Sequence, residues 1–167
     1  ENLLRSMAEK IDFRSGHRLL AVTTFSFDIA MLELLLPLTT GGTLVLARDE
    51  DVHDDRRLSA LLNRYQIDVM QATPATWRLL VAGGWAGDAR LRALCGGEAL
   101  DLDLGRQLLD RVGALFNVYG PTETTIWSAA LQLEAAHLGQ NHVPIGGPLH
   151  NTVLHVLDDR RRPLPSG

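Results

Sequence analysis

Two kinds of apolar pattern alternate along the chain, and that alternation limits the fold more than any other feature. Residues 19–24, 43–46, 67–72, 92–95 and 114–118 are short β-type runs. Between most of them apolar side chains recur at helical spacing, in a segment opening near Asp28 and then in 57–65, 74–81 and 102–112. The same spacing relates Leu3, Leu4, Met7, Ala8 and Ile11 at the start. Strands joined by helical crossovers pair in parallel, and a parallel sheet is covered on both faces. The expected class is therefore α/β, a largely parallel sheet flanked by helices. After Ile126 the pattern changes to two β-rich stretches, 126–133 and 153–157, which predict a more antiparallel edge near the C-terminus. One unit is expected over 1–167: an N-terminal helix within 1–17, a βα core over 18–125 and a β-rich edge over 126–167.

Composition excludes several function classes. At 167 residues with 46% hydrophobic side chains the chain can bury one sizeable core. A net charge of -4 lacks the clustered positive charge of a nucleic-acid or anionic-membrane surface, so neither partner is expected. The longest apolar stretch, 29–38, is too short to span a bilayer and contains Glu33. Cys95 is the only cysteine, so no disulfide can form within the chain, and a small buried hydrophobe in a reducing, cytoplasmic setting is the expectation. The acidic stretch 49–55 lacks the glycine and spacing of a calcium loop and predicts a solvated loop. His142, His150 and His155 have no metal-ligand spacing and read as structural. Of the 16 basic residues only Lys10 is a lysine. The start at Glu1 and the final Pro165-Ser166-Gly167 turn suggest a piece of something longer.

Four segments of unusual composition each follow a predicted strand: Phe25-Ser26-Phe27-Asp28, Gln71-Ala72-Thr73-Pro74, Gly96-Gly97-Glu98-Ala99, and Asn117 to Thr125. Ligands of open parallel sheets bind outside the carboxyl ends of the strands, so the four should converge on one crevice. The last segment is the richest. Gly120-Pro121 makes a tight turn, and Thr122, Thr124 and Thr125 place hydroxyls beside backbone N–H groups, an array suited to phosphate oxygens. Glu123 is a hard oxygen ligand suited to magnesium, Tyr119 offers a flat face for a base, and Asn117 can donate and accept. A strand-to-strand turn with helpful threonines accounts for the same residues without a nucleotide.

The stretch Asn117-Val118-Tyr119-Gly120-Pro121-Thr122-Glu123-Thr124-Thr125 resembles the signature of the adenylate-forming superfamily, and most closely the adenylation domains of nonribosomal peptide synthetases. Phe27-Asp28-Ile29-Ala30, Gly96-Gly97-Glu98-Ala99-Leu100 and Pro144-Ile145-Gly146-Gly147-Pro148 match that family in order and spacing. The resemblance implies a flavodoxin-like, substrate-binding subdomain of a larger domain that joins an amino acid to Mg-ATP. Aminoacyl-adenylate and pyrophosphate result, and the acyl group then passes to the phosphopantetheine thiol of a carrier domain, with condensation domains as further neighbours. It implies adenine stacking by Tyr119, a contact from Asn117 to the adenine amine, and nucleotide contacts along Gly97, Glu98, Ala99 and Gly120. The α-phosphate falls to Thr122 and the magnesium to Glu123, the two expected catalytic residues.

By the same resemblance, Asp28 is the counter-ion for the substrate's α-ammonium, a charge-assisted pair that ligases of fatty or aryl acids do not need. A helix N-cap is the other reading of Asp28. The pocket positions map onto Asp28, Ile29, Leu32, Gln71, Leu94, Gly96, Val118, Ile126 and Trp127, each of which also reads as core packing. As a pocket the set is crowded, which excludes large side chains by steric clash and predicts glycine, then alanine or another small amino acid. The Gln71 amide could instead bond a polar substrate such as serine. The family's phosphate loop, ribose-binding Asp and C-terminal lysine have no counterpart in the sequence, so the isolated chain is expected to fold without being active. The rival readings are an acyl- or aryl-CoA ligase relative, disfavoured by Asp28 and by Gly97-Glu98-Ala99-Leu100, and a non-catalytic excised or exchanged binding subdomain.

Overall fold

The computed structural model describes residues 1–139 and 141–164. Seven strands form one sheet: β1 (Arg18–Ala21), β2 (Thr43–Leu46), β3 (Val69–Ala72), β4 (Asp88–Cys95), β5 (Val112–Tyr119), β6 (Ala129–Leu133) and β7 (Gly147–Pro148), in the order β2-β1-β3-β4-β5-β6-β7. The first five are parallel, while β6 and β7 add antiparallel. The helices are α1 (Asn2–Lys10), α2 (Ala30–Thr40), α3 (Asp49–Val52), α4 (Asp55–Tyr65), α5 (Pro74–Ala82) and α6 (Leu102–Leu109). The α/β class, the parallel core and the antiparallel edge stand as expected. None of the described helices is long and apolar enough to cross a membrane.

Alternation of side chains along the strands divides the core in two. Leu19, Ala21, Val69, Leu94, Phe116 and Val118 pack with α1 and α2 on one face. Leu20, Met70, Ala93, Cys95 and Leu115 pack with α4, α5 and α6 on the other. Local chemistry sets the helix boundaries. The Asp54 carboxylate caps α4 by accepting from the Arg56 and Arg57 N–H groups, and Asp101 caps α6 by accepting from the Leu104 N–H at 2.9 Å. Gly41 ends α2 with φ 74, a left-handed conformation that glycine takes without strain.

Two local expectations need correction. The acidic stretch 49–55 is helical rather than a loop: Asp49–Val52 forms a turn of helix, Asp54 is a cap, and Glu50 and Asp51 face the Arg57 guanidinium. Residues 153–157 do not join the sheet. Their apolar alternation finds no neighbouring strand among the described residues, and only Leu157 forms an isolated bridge, with Pro163. The last place in the sheet goes to Gly147–Pro148. The final Pro165-Ser166-Gly167 lies outside the described residues.

Candidate active site

The parallel register brings the four segments to one edge. Gln71 pairs with Leu94, and Ala72 with Cys95; on the next strand Leu94 pairs with Phe116 and Cys95 with Asn117. One step further along, the chains enter the loops. A Cβ placed on Gly97 (φ 82) would lie 3.6 Å from Thr73 Cγ2 and 4.0 Å from Ile29 Cδ1. One placed on Gly96 would lie 2.6 Å from Val118 Cγ2 and 2.7 Å from Trp127 Cη2. Glycine at 96 is therefore a packing requirement, because the space a side chain would use is already filled.

The sheet separates the predicted site residues into two groups. On the α6 side a cleft of about 780 Å³ opens over the strand ends, lined by Gly97, Glu98, Ala99, Asn117, Tyr119 and Gly120 together with the start of α6. Asn117 Nδ2 donates to the Pro144 carbonyl at 2.9 Å, which leaves Oδ1 as the acceptor of that side chain. No buried side-chain polar atom lacks a partner among the described residues, so Oδ1 is open to solvent. Tyr119 is half exposed at the cleft.

On the α2 side, Ile29, Leu32, Leu94, Val118, Ile126 and Trp127 are buried within one core cluster. Only Val118 and Trp127 of that set also line the cleft. Gln71 is 1% exposed and both of its N–H donors are used. Nε2 donates to the Ile29 carbonyl at 2.9 Å and to Glu33 Oε1 at 2.8 Å, and Oε1 accepts from Trp127 Nε1 at 2.8 Å. Gln71 therefore has no free N–H to offer a substrate, and only the second lone pair of Oε1, beside the indole, could meet a serine hydroxyl. Glu33, which the sequence marked only as a charge in an apolar run, is wholly buried. Burial pushes its carboxyl above the ordinary range, opposed by bonds from Thr23, Gln71 and Val22.

Asp28 does not cap α2. The N-cap is Ile29 and no side chain caps that end, while the Asp28 carbonyl accepts from the Met31 N–H at 2.9 Å. Among the described residues its half-buried carboxylate is left without a helix to serve. A separate turn carries Thr122–Thr124, a 3-10 helix exposed beside the cleft. The Thr124 hydroxyl is spent on the Pro121 carbonyl and Ser128, whereas the exposed Thr122 and Glu123 side chains make no hydrogen bond or ion pair among the described residues. Thr125 and Ile126 follow at φ 71 and φ 70, and the Thr125 carbonyl accepts from the Trp127 N–H at 2.9 Å. Two successive β-branched residues in the left-handed region are strained, and such strain gathers at working sites. Gly120 lets this loop cross closely: a Cβ there would lie 2.4 Å from the Ile126 carbonyl oxygen. Among the described residues no cluster of three or more His, Cys, Asp or Glu could hold a metal ion by itself.

Comparison with known proteins identifies the family. The family model described as AMP-binding enzyme matches residues 1–167. A dimodular nonribosomal peptide synthase of Bacillus subtilis (strain 168) is 45% identical over 166 residues, which are 99% of this chain and 7% of that protein. Among solved structures, holo-AB3403, a four-domain nonribosomal peptide synthetase bound to AMP and glycine, superposes with a TM-score of 0.92 at 48% identity, over 98% of this chain and 12% of that one. PA1221, which contains adenylation and PCP domains, superposes at 0.83 with 26% identity, over 98% of this chain and 34% of that one. The chain thus spans a small part of each relative's length. With the family model matched from end to end over a fold and site of this kind, the chain belongs to the AMP-binding enzyme family.

Proposed function

We propose that the chain is the amino-acid-selecting core of a peptide-synthetase adenylation domain. The reaction would join ATP and an amino acid into aminoacyl-adenylate and pyrophosphate, before the acyl group moves to the phosphopantetheine thiol of a carrier domain. The observation that carries this reading is the two-sided site: an open cleft of nucleotide size on one face of the sheet, and a filled side-chain space on the other, meeting at Gly96-Gly97. Tyr119 supplies a flat surface for the base and Asn117 Oδ1 accepts from its amine. Thr122 and the turn N–H groups bind the α-phosphate, where charge gathers in acyl-phosphoryl transfer. Glu123 fits magnesium, since that ion is commonly held by one or two carboxylates plus substrate phosphates. When bound, magnesium neutralises charge on the phosphate oxygens.

The free Asp28 carboxylate pairs the substrate's α-ammonium. The substrate is glycine, with alanine or another small amino acid next, because Trp127 and Val118 occupy the place of a side chain at Gly96. The 48% identity to a synthetase bound to AMP and glycine supports that choice. The isolated chain is proposed to fold without sustaining adenylation, since its single lysine, Lys10, ends α1 away from the cleft. Amino-acid-dependent ATP–pyrophosphate exchange by a complete domain carrying this segment tests the proposal. Glycine is expected to give the highest kcat/KM, and a preference for leucine or phenylalanine would sink it.

A further inference from the structure

The indole that closes the space beside Gly96 is itself held by a buried chain of polar groups. Trp127 Nε1 donates to Gln71 Oε1, and Gln71 Nε2 donates to Glu33 Oε1, both at 2.8 Å. Glu33 also accepts from the Thr23 hydroxyl at 2.5 Å and from the Val22 and Thr23 N–H groups at 2.8 Å and 3.0 Å. Every partner of Glu33 is a donor, so the side chain works as an acceptor on both oxygens. That fixes the Gln71 amide. Turning it over would set its oxygen against the Glu33 carboxylate and the Ile29 carbonyl, and its NH2 against the indole N–H. The indole orientation is therefore set by a residue of α2 two hydrogen bonds away.

We propose that Glu33, which does not line the cleft, is a positioning residue for substrate choice: acting through Gln71, it holds Trp127 over Gly96 and keeps the side-chain space closed. This deepens the small-amino-acid reading and rests on it. A Glu33 that merely tied the 22–23 loop to α2 would support stability or overall rate, but not the ratio between substrates. In Glu33→Gln the oxygen is drawn to the Val22 and Thr23 N–H groups and the NH2 faces the Gln71 amide, which it cannot accept from, and Gln71→Met keeps length while removing the amide.

The test is ATP–pyrophosphate exchange by the complete adenylation domain, with glycine, alanine, serine and leucine. Wild type, Glu33→Gln, Gln71→Met and the double variant are compared, with Tm measured alongside. Each single variant is expected to raise the alanine-to-glycine ratio of kcat/KM roughly tenfold or more, the scale of one methyl group in a tight pocket. The double variant should go no further than the larger single one, because both act on the same link. Should Glu33→Gln fail to fold, Glu33→Asp keeps the carboxyl group but draws it back from Gln71, and the same shift is expected. An unchanged ratio with all rates lowered alike, or additive shifts in the double variant, overturns the proposal. A wild type that prefers leucine would end the small-substrate reading separately. The relay would still be judged by whether the variants move preference toward larger side chains than the wild type takes.

Discussion

Thr125 and Ile126 are held in a conformation that β-branched residues avoid, at φ 71 and φ 70, next to the turn that carries Thr122 and Glu123. A left-handed backbone costs a non-glycine residue roughly 1–2 kcal/mol. Thr125 is exposed, so Thr125→Gly removes little packing and is expected to stabilise the chain by about 1 kcal/mol, read as a higher denaturant midpoint with the same slope. At this scale the sequence was legible where a residue's role depends on its own neighbours. Gly41 and Gly120 fall where a helix end and a tight turn require them. It was not legible where the role depends on a distant partner: the Gln71 amide read equally as core packing or as a group that could bond a polar substrate, because Glu33 and Trp127, 38 and 56 residues away, could not be placed against it. An acid inside an apolar run was the one available signal for Glu33.

Among the elements, α6 borders the cleft and starts from Asp101, whose carboxylate caps the helix and pairs with Arg78. The Leu104 N–H, and after it the Arg78 guanidinium, hold this carboxyl below the usual carboxylate range. A depressed acid contributes stability that is present above its ordinary value of 3.8 and lost as pH falls through the folded value. Asp101→Ala should therefore cost about 1 kcal/mol at pH 7, and the gap to wild type should close as the carboxyl is protonated in acid. Urea unfolding of both proteins across that range checks the size and the direction. Elements with their own caps and period were readable in this way, α4, α5 and α6 among them. The stretch 153–157 was misjudged because alternation shows that a segment could pair, not that a strand lies beside it.

For the molecule as a whole, the strand order leaves β2 at the outer edge of the sheet, apolar and without proline or lysine, with Leu46 65% exposed. Unprotected edges of this kind template pairing with another chain. Leu46→Lys is expected to reduce concentration-dependent association of the isolated chain, measured by light scattering, without moving its Tm. The parallel core was readable from the alternation of patterns, whereas the division of labour between its faces was not. A linear order of motifs does not say that Asn117 points one way from the sheet while Gln71 and Leu94 point the other. That division bears on how such a chain can diverge. Residues lining the open cleft and residues packed in the core under α2 stand back to back, sharing only Val118 and Trp127 as a common wall. A lineage could therefore repack the core under α2 while the lining of the open cleft passes unchanged from ancestor to descendant.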